Sequence, residues 1–428
     1  MDKIIKPVEN LRGEIVLPGD KSISHRAVLI GGIAKGVTKA KNFLKAEDCL
    51  HTVSALRDMG IFIDVGDKEI SVHGRGLKGL AKPKRDLYLG NSGTTMRILP
   101  GVVAGQDFET ALTGDESLTK RPMKRIIEPL KKMGVDISSR KKDGFPPLAI
   151  KGGKIAPLEY ATKVASAQVK SCILLAGLYA KGTTSVTEPF LSRDHTERML
   201  EFFGAKISRR GLTVSVEGAR EMVGKEFFVP GDISSAAFFI AAACILDGSD
   251  VTIREIGLNP TRMGFVNALI KMGAAIEVRE KQENVPEPYG TIRVTYRPLR
   301  AVTINAKEVP LLIDEVPILA VAASSAEGET VIKGISELRV KETDRISSMT
   351  ENLNRMGSNL RVDKNNLIIT GKKKRFTKAE SESFKDHRTA MAMAIAALRS
   401  DGECRIKDTE CVNTSFPDFF DMLGYLSK

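Results

Sequence analysis

Two apolar patterns alternate along the chain. The first is a polar cluster followed by an alanine-rich segment with almost no charge. Such segments begin near Asp20, Asn91, Ser166, Asp232, Asp314 and Asp386, and the last runs Asp386-His387-Arg388-Thr389-Ala390-Met391-Ala392-Met393-Ala394-Ile395-Ala396-Ala397-Leu398. A helix that is apolar on every side has to be buried on every side. The second pattern is amphipathic and closes on a glycine. It appears as Leu56-Arg57-Asp58-Met59-Gly60, Leu130-Lys131-Lys132-Met133-Gly134 and Leu200-Glu201-Phe202-Phe203-Gly204. It returns as Leu269-Ile270-Lys271-Met272-Gly273, Leu353-Asn354-Arg355-Met356-Gly357 and Phe420-Asp421-Met422-Leu423-Gly424. Each glycine marks the residue just past a helix end, where a positive φ is needed. Strand signals come after most copies, such as Ile61-Phe62-Ile63-Asp64-Val65 and Ala275-Ile276-Glu277-Val278. The last copy lies four residues from the C-terminus, with no room for a strand.

Together the markers repeat six times at a period of roughly 70 residues, longer than solenoid periods. Six helices buried on all sides, with strands and amphipathic helices around them, predict an inside-out arrangement with helices in the core and sheets outside. The six repeats divide into three plus three. Pro18-Gly19-Asp20 recurs as Pro230-Gly231-Asp232, and each stands at a candidate crossover. Residues 20–228 are expected to form one domain, and residues 1–19 plus 229–428 the other. A length of 428 residues suits two cores better than one.

Composition narrows the function classes. With 42% hydrophobic and 28% charged residues the chain is ordinary for a globular enzyme. No tryptophan and 5% aromatics disfavour a surface that stacks nucleic-acid bases. The net charge of +12 suits an anionic partner. Solvated lysines supply most of it, and Lys372-Lys373-Lys374-Arg375 reads as an exposed turn. The five cysteines contain no CxxC pair, and no His/Cys cluster has zinc-ligand spacing. No metal is expected, and unpaired thiols suit a reducing compartment. The start, Met1 to Pro7, has no apolar signal core. The longest uncharged apolar stretch, Ser235 to Leu246, falls short of the ~18 residues of a membrane span. These features predict a cytoplasmic protein without a membrane partner.

Candidate chemistry collects where the buried helices begin. Lys21, Ser22 and Arg26 open the first, and Asn91-Ser92-Gly93-Thr94-Thr95 the second. Ser166-Ala167-Gln168 opens the third, Asp314-Glu315 the fifth and Asp386-His387-Arg388 the sixth. A helix N-terminus carries roughly half a positive charge and unpaired N–H groups, so it attracts anions. Cations at the same ends imply substrates bearing phosphate or carboxylate; each cluster taken alone is equally readable as a cap or an ion pair. Lys120-Arg121-Pro122-Met123-Lys124-Arg125 puts four cations at a helix start, where acids are usually preferred. Arg339-Val340-Lys341-Glu342-Thr343-Asp344-Arg345 sets a carboxylate among cations, an arrangement suited to proton transfer beside phosphate clamps.

Several of these stretches resemble the signatures of the 5-enolpyruvylshikimate-3-phosphate synthase family. They are Leu17-Pro18-Gly19-Asp20-Lys21-Ser22-Ile23-Ser24-His25-Arg26, Gly90-Asn91-Ser92-Gly93-Thr94-Thr95-Met96-Arg97, and Gly114-Asp115-Glu116-Ser117-Leu118 with Arg121-Pro122-Met123. Leu338 to Arg345, Asp386 to Met391 and Ser415-Phe416-Pro417-Asp418-Phe419 complete the set in the same order. The resemblance implies two inside-out α/β barrel domains, each of three βαβαββ units, with the active site in the cleft between them. It implies transfer of enolpyruvate from phosphoenolpyruvate to shikimate 3-phosphate without metal or organic cofactor, by a monomer. Residue by residue, Lys21, Ser22, Arg26, Ser166, Ala167, Gln168, Arg193, Asp314 and Lys341 would hold shikimate 3-phosphate. Lys21, Gly93, Arg121, Gln168, Arg345 and Arg388 would hold phosphoenolpyruvate, and Asp314, Glu342 and Lys21 would move protons.

The chain departs from the family pattern in places. Ser166 to Lys170, Arg193 to Glu197 and Asn259-Pro260-Thr261-Arg262 resemble the class II branch, known for tolerating glyphosate, yet Gly93 stands where the best-known tolerant members carry alanine. Thr414-Ser415-Phe416-Pro417 lacks the lysine that many class I members carry there. The sister family that loads UDP-N-acetylglucosamine is the nearest alternative; it typically has Asn after the first lysine and a Cys or Asp on a mobile loop. Here Ser22 comes after Lys21, and the stretch from Glu109 to Met123 has Asp115 but no cysteine. An RNA- or anion-binding protein is the alternative of another class, without a need for Asp314 and Glu342 among the cations.

Overall fold

The computed structural model describes residues 1–281 and 285–428. The chain divides into two compact units. One comprises Gly19–Val229 with Asn284–Glu287, the other Met1–Pro18, Pro230–Glu283 and Pro288–Lys428.

In the first unit the alanine-rich segments form helices Lys21–Ile33, Gly93–Val103 and Ala167–Gly177. In the second they form Ile233–Ile245, Val316–Ser324 and His387–Leu398, every residue of which is buried. Five begin with a polar cap: Asp20, Ser92, Ser166, Asp232 and Asp386 each accept from a backbone N–H in the first turn. Such caps satisfy amides that the helix itself cannot. The fifth helix lacks a side-chain cap and instead carries Pro317 in its first turn, where a missing N–H does no harm. The helices approach one another closely. A Cβ on Gly101 would stand 2.2 Å from the Cys172 carbonyl oxygen, so only glycine fits this crossing.

Around these cores the strands form, among the described residues, five four-stranded sheets and one of three strands. The four-stranded sheets share one plan. Leu87–Tyr88 runs parallel to Glu109–Thr113, which pairs antiparallel with Leu148–Lys151, which pairs antiparallel with Asp136–Ser139. The parallel step needs a crossover, and the buried Gly93–Val103 helix supplies it. Side chains alternate accordingly, with Leu148 and Ile150 inward and Lys151 outward. This is the βαβαββ unit, and the mixed α/β inside-out architecture is the one the apolar pattern predicts.

Three strands arrive from distant parts of the sequence. Glu226–Phe228 joins Lys35–Lys41, Arg12–Val16 joins Asp250–Gly257, and Lys3–Ile5 joins Cys404–Lys407. The last of these completes the three-stranded sheet with Glu380–Glu382. The marker glycines Gly60, Gly134, Gly204, Gly273 and Gly357 all have positive φ, between +80° and +106°. Gly424 does not behave as expected. It lies inside the Phe419–Leu426 helix, which runs on past it so that Leu426 packs into the core.

Candidate active site

The buried helices of the first unit are covered throughout except near their N-terminal ends. Lys21 and Ser22, Thr94 and Arg97, and Ala167 and Gln168 are the positions that reach partial exposure. Burial therefore leaves polar chemistry at one end of each helix, beside its positive dipole.

Lys21 forms an ion pair with Asp48, from the next helix, Glu47–Asp58. Arg26 is buried and spans three helices. Its Nη1 donates to the Ser22 carbonyl at 2.8 Å, its Nε to Thr196 Oγ1 at 2.6 Å and its Nη2 to Ser171 Oγ at 2.9 Å. Burial lowers its pKa to about 10; Glu197, Asp20 and Glu287 oppose that shift, and Arg193 adds to it. Arg193 is thus an electrostatic neighbour of Arg26. Ser166 caps the third helix, and its own N–H donates to Glu188 Oε1 at 3.0 Å. Glu188 also pairs with the buried Lys170, at 2.7 Å, and Lys170 pairs with Glu197 at 2.8 Å. Burial opposes the charge of Lys170, but Glu197 and Glu188 outweigh it and raise its pKa.

Gly93, Arg121 and Gln168 lie in one network. Gln168 donates to Thr94 Oγ1 at 3.2 Å and accepts from Arg97 Nη1 at 3.0 Å. Arg121 donates to the Asn91 carbonyl at 3.4 Å, to the Asn91 side chain, and to Ser117 Oγ at 3.2 Å. A Cβ on Gly93 would stand 2.8 Å from Arg121 Nη1, so the absence of a side chain lets the guanidinium approach the helix start.

In the second unit Asp314, Lys341, Glu342, Arg345 and Arg388 form a single cluster. Arg345 is 2% exposed and faces three carboxylates: Asp386 at 2.8 Å, Glu342 at 2.6 Å and Asp314 at 3.1 Å. Burial alone would weaken its charge, yet Asp386, Glu342 and Asp314 outweigh burial and raise its pKa. Asp314 also receives Lys341 Nζ at 3.3 Å, and its carbonyl accepts from Arg388 Nη1 at 3.0 Å. The carboxylate is therefore held among cations while remaining partly open to solvent. Such a group can accept a proton from a hydroxyl brought to it, and the surrounding guanidinium groups suit phosphate or carboxylate.

Sequence reasoning missed Asp48 as the partner of Lys21, Glu188 and Lys170 behind Ser166, and Asp386 as the anchor of Arg345. Asp386 was visible as a helix start, but its second partner is 41 residues away. No local pattern announces such a pair. Lys372 to Arg375 are exposed as a turn requires, and Arg399 donates to the carbonyls of Lys373 and Lys374 beneath it.

The sequence matches the family described as EPSP synthase (3-phosphoshikimate 1-carboxyvinyltransferase) over residues 5–423. The chain belongs to this family. A 3-phosphoshikimate 1-carboxyvinyltransferase of Desulforamulus reducens is 48% identical over 424 residues, 99% of each chain. That of Bacillus velezensis is 46% identical over 421 residues, 98% of each chain. The 2.37 Å structure of EPSP synthase from Acinetobacter baumannii is similar with a TM-score of 0.88 at 44% identity, covering 99% of this chain and 98% of that one. Family membership of this extent covers both units, and so the clusters on both.

Proposed function

We propose that this chain transfers the enolpyruvyl group of phosphoenolpyruvate to the 5-hydroxyl of shikimate 3-phosphate and releases phosphate, on the chorismate branch of aromatic amino-acid biosynthesis. The observation that carries this reading is the match, along almost the whole chain, to relatives named for that activity. The clusters support it, because both gather cations near helix starts and the second holds the partly exposed carboxylate of Asp314 among them.

Protonation of the methylene carbon of phosphoenolpyruvate makes its C2 electrophilic. The 5-hydroxyl adds there while Asp314 accepts the hydroxyl proton, giving a tetrahedral intermediate. Loss of phosphate and of one methyl proton then restores the enol ether. Lys21 and Glu342 serve the remaining proton transfers. Lys21, Ser22, Arg26, Ser166, Ala167, Gln168, Arg193, Asp314 and Lys341 hold shikimate 3-phosphate, while Lys21, Gly93, Arg121, Gln168, Arg345 and Arg388 hold phosphoenolpyruvate. In this reading one reaction draws on residues of both units. The enzyme works as a cytoplasmic monomer, without metal, organic cofactor, nucleic acid or membrane partner. Five free thiols, four of them buried, are compatible with a reducing compartment.

The test is phosphate release by the purified chain with phosphoenolpyruvate and shikimate 3-phosphate, with UDP-N-acetylglucosamine as acceptor in a parallel reaction. Release dependent on shikimate 3-phosphate supports the proposal. Release only with the sugar nucleotide moves the chain to the sister activity, and release with neither removes the catalytic reading.

A further inference from the structure

The helix His195–Phe202 begins without a side-chain cap; Asp194, at the cap position, instead accepts from Arg198 Nε at 2.8 Å. Its first three residues are tied down in other ways. His195 Nδ1 donates to Glu287 Oε1 at 2.7 Å. Thr196 Oγ1 accepts from Arg26 Nε at 2.6 Å and shares a 2.6 Å hydrogen bond with Ser171 Oγ. Glu197 pairs with Lys170 at 2.8 Å. His195, Thr196, Glu197 and Glu287 are all at most 2% exposed, so these bonds form out of water, where an unmade bond is expensive.

Glu287 is the unexpected member. In sequence it lies just before the strand Tyr289–Thr295, which belongs to the second unit, yet Glu287 itself groups with the first. Arg26 and Glu287 are thus brought together from opposite halves of the chain. No resemblance or spacing singles Glu287 out.

We propose that Glu287 is a positioning residue for shikimate 3-phosphate binding, acting through His195 and Thr196 on Arg26. The carboxylate fixes His195 at the helix start. Thr196, the next residue, then presents its hydroxyl to Arg26 Nε and sets the plane of the guanidinium. A planar, rigid fork tolerates little rotation before its remaining N–H groups lose their aim. The negative charge of Glu287 adds to this by favouring the charged form of Arg26. The inference rests on the reading of Arg26 as a shikimate 3-phosphate ligand, and it predicts a selective effect because the phosphoenolpyruvate network around Gly93, Arg121 and Gln168 shares none of these bonds.

The test compares steady-state kinetics of the wild type with those of Glu287→Ala, Glu287→Gln and Glu287→Asp, each checked by a thermal melt. In Glu287→Ala the KM for shikimate 3-phosphate should rise about tenfold, against the ~10²-fold that a misplacement of about 1 Å can cause. The KM for phosphoenolpyruvate should stay within about twofold, a change too small to mark a lost contact. Glu287→Gln keeps an oxygen that accepts from His195 and should restore most of the lost affinity. Glu287→Asp keeps the charge but shortens the reach, so it should behave like Glu287→Ala; it carries the test if Glu287→Ala does not fold. An unchanged KM for shikimate 3-phosphate in a folded Ala or Asp variant overturns the inference. So does an equal rise in both KM values, which would mean general loosening of the fold. A wild type that turns over shikimate 3-phosphate beside unaffected variants counts against Glu287 alone. A wild type that does not turn it over sinks the functional reading, and the inference with it.

Discussion

Asp314→Asn separates the proposed base from its electrostatic setting. The Asp314 Oδ1 atom accepts from Lys341 at 3.3 Å and from Arg345 at 3.1 Å, and an asparagine oxygen can take both bonds at the same position. The variant therefore keeps its shape and most of its contacts but cannot accept the hydroxyl proton. General base catalysis contributes roughly 10²–10⁴-fold, or about 2.7–5.4 kcal/mol of barrier. Stability should change little. Arg345 retains Asp386 at 2.8 Å and Glu342 at 2.6 Å, so no buried cation is left alone. A loss of about 1 kcal/mol, or ~2–4 °C for a unit of this size, is the expected scale. Phosphate release at saturating levels of both substrates, with a parallel thermal melt, measures both quantities. A folded Asp314→Asn enzyme whose kcat stays within tenfold of the wild type would refute the assignment of Asp314 as the base. Arg345→Met is the informative contrast. It strands the buried carboxylate of Asp386, and breaking such a pair costs about 3–5 kcal/mol, so that variant should lose stability as well as turnover.

Three further outcomes test other parts of the structure. In Gly93→Ala the new methyl would meet Arg121 Nη1 at 2.8 Å and Arg97 Nη1 at 3.0 Å, where ordinary contact begins near 3.4 Å. Arg121 must withdraw, so the KM for phosphoenolpyruvate should rise; an unchanged constant would exclude the crowding. Gly101→Ala forces a Cβ to 2.2 Å from a backbone oxygen of the neighbouring helix, and the overpacking should lower the urea midpoint by an amount equivalent to about 1–3 kcal/mol. For His25, burial first and then Lys21 and Arg26 hold the pKa well below 6.5, while Asp20 acts against them. The imidazole stays neutral in the fold and takes up a proton on unfolding. Its stabilising contribution is thus complete above about pH 6.5 and is lost as pH falls, at up to ~1.36 kcal/mol per unit. Melting temperatures from pH 8 to 5.5 should fall more steeply for the wild type than for His25→Gln, and equal slopes would disprove it.

Much of the architecture was legible because it rests on periodicity. The Ile233–Ile245 helix has no charged residue and no polar face, and only an interior accepts such a helix. Gly60 and Gly273 announced helix ends because a left-handed residue without strain is nearly always glycine. Gly424 has the same local sequence context but a different fate, since its helix continues to Leu426 and buries that side chain in the core. The candidate site was legible in part. Lys21, Arg121, Arg345 and Arg388 stood out as cations at helix starts, where cations are otherwise unfavourable. Their partners Asp48, Asn91 and Asp386 were not legible as partners.

The boundary between the two kinds of knowledge comes from the range of the forces involved. Burial pattern, capping and turn geometry act over one to four residues, so the sequence by itself determined which segments are helices, which are buried, and where many of them end. Pairing of charges and completion of sheets act across space, whatever the separation along the chain. Only the tertiary structure could decide that Lys3–Ile5 completes the sheet of Cys404–Lys407, that Asp386 turns its carboxylate to Arg345, and that Glu287 reaches His195. A side chain carries no local mark of a partner tens of residues or more away, because the free energy of that contact exists only once the rest of the fold has brought the two together and removed the water between them.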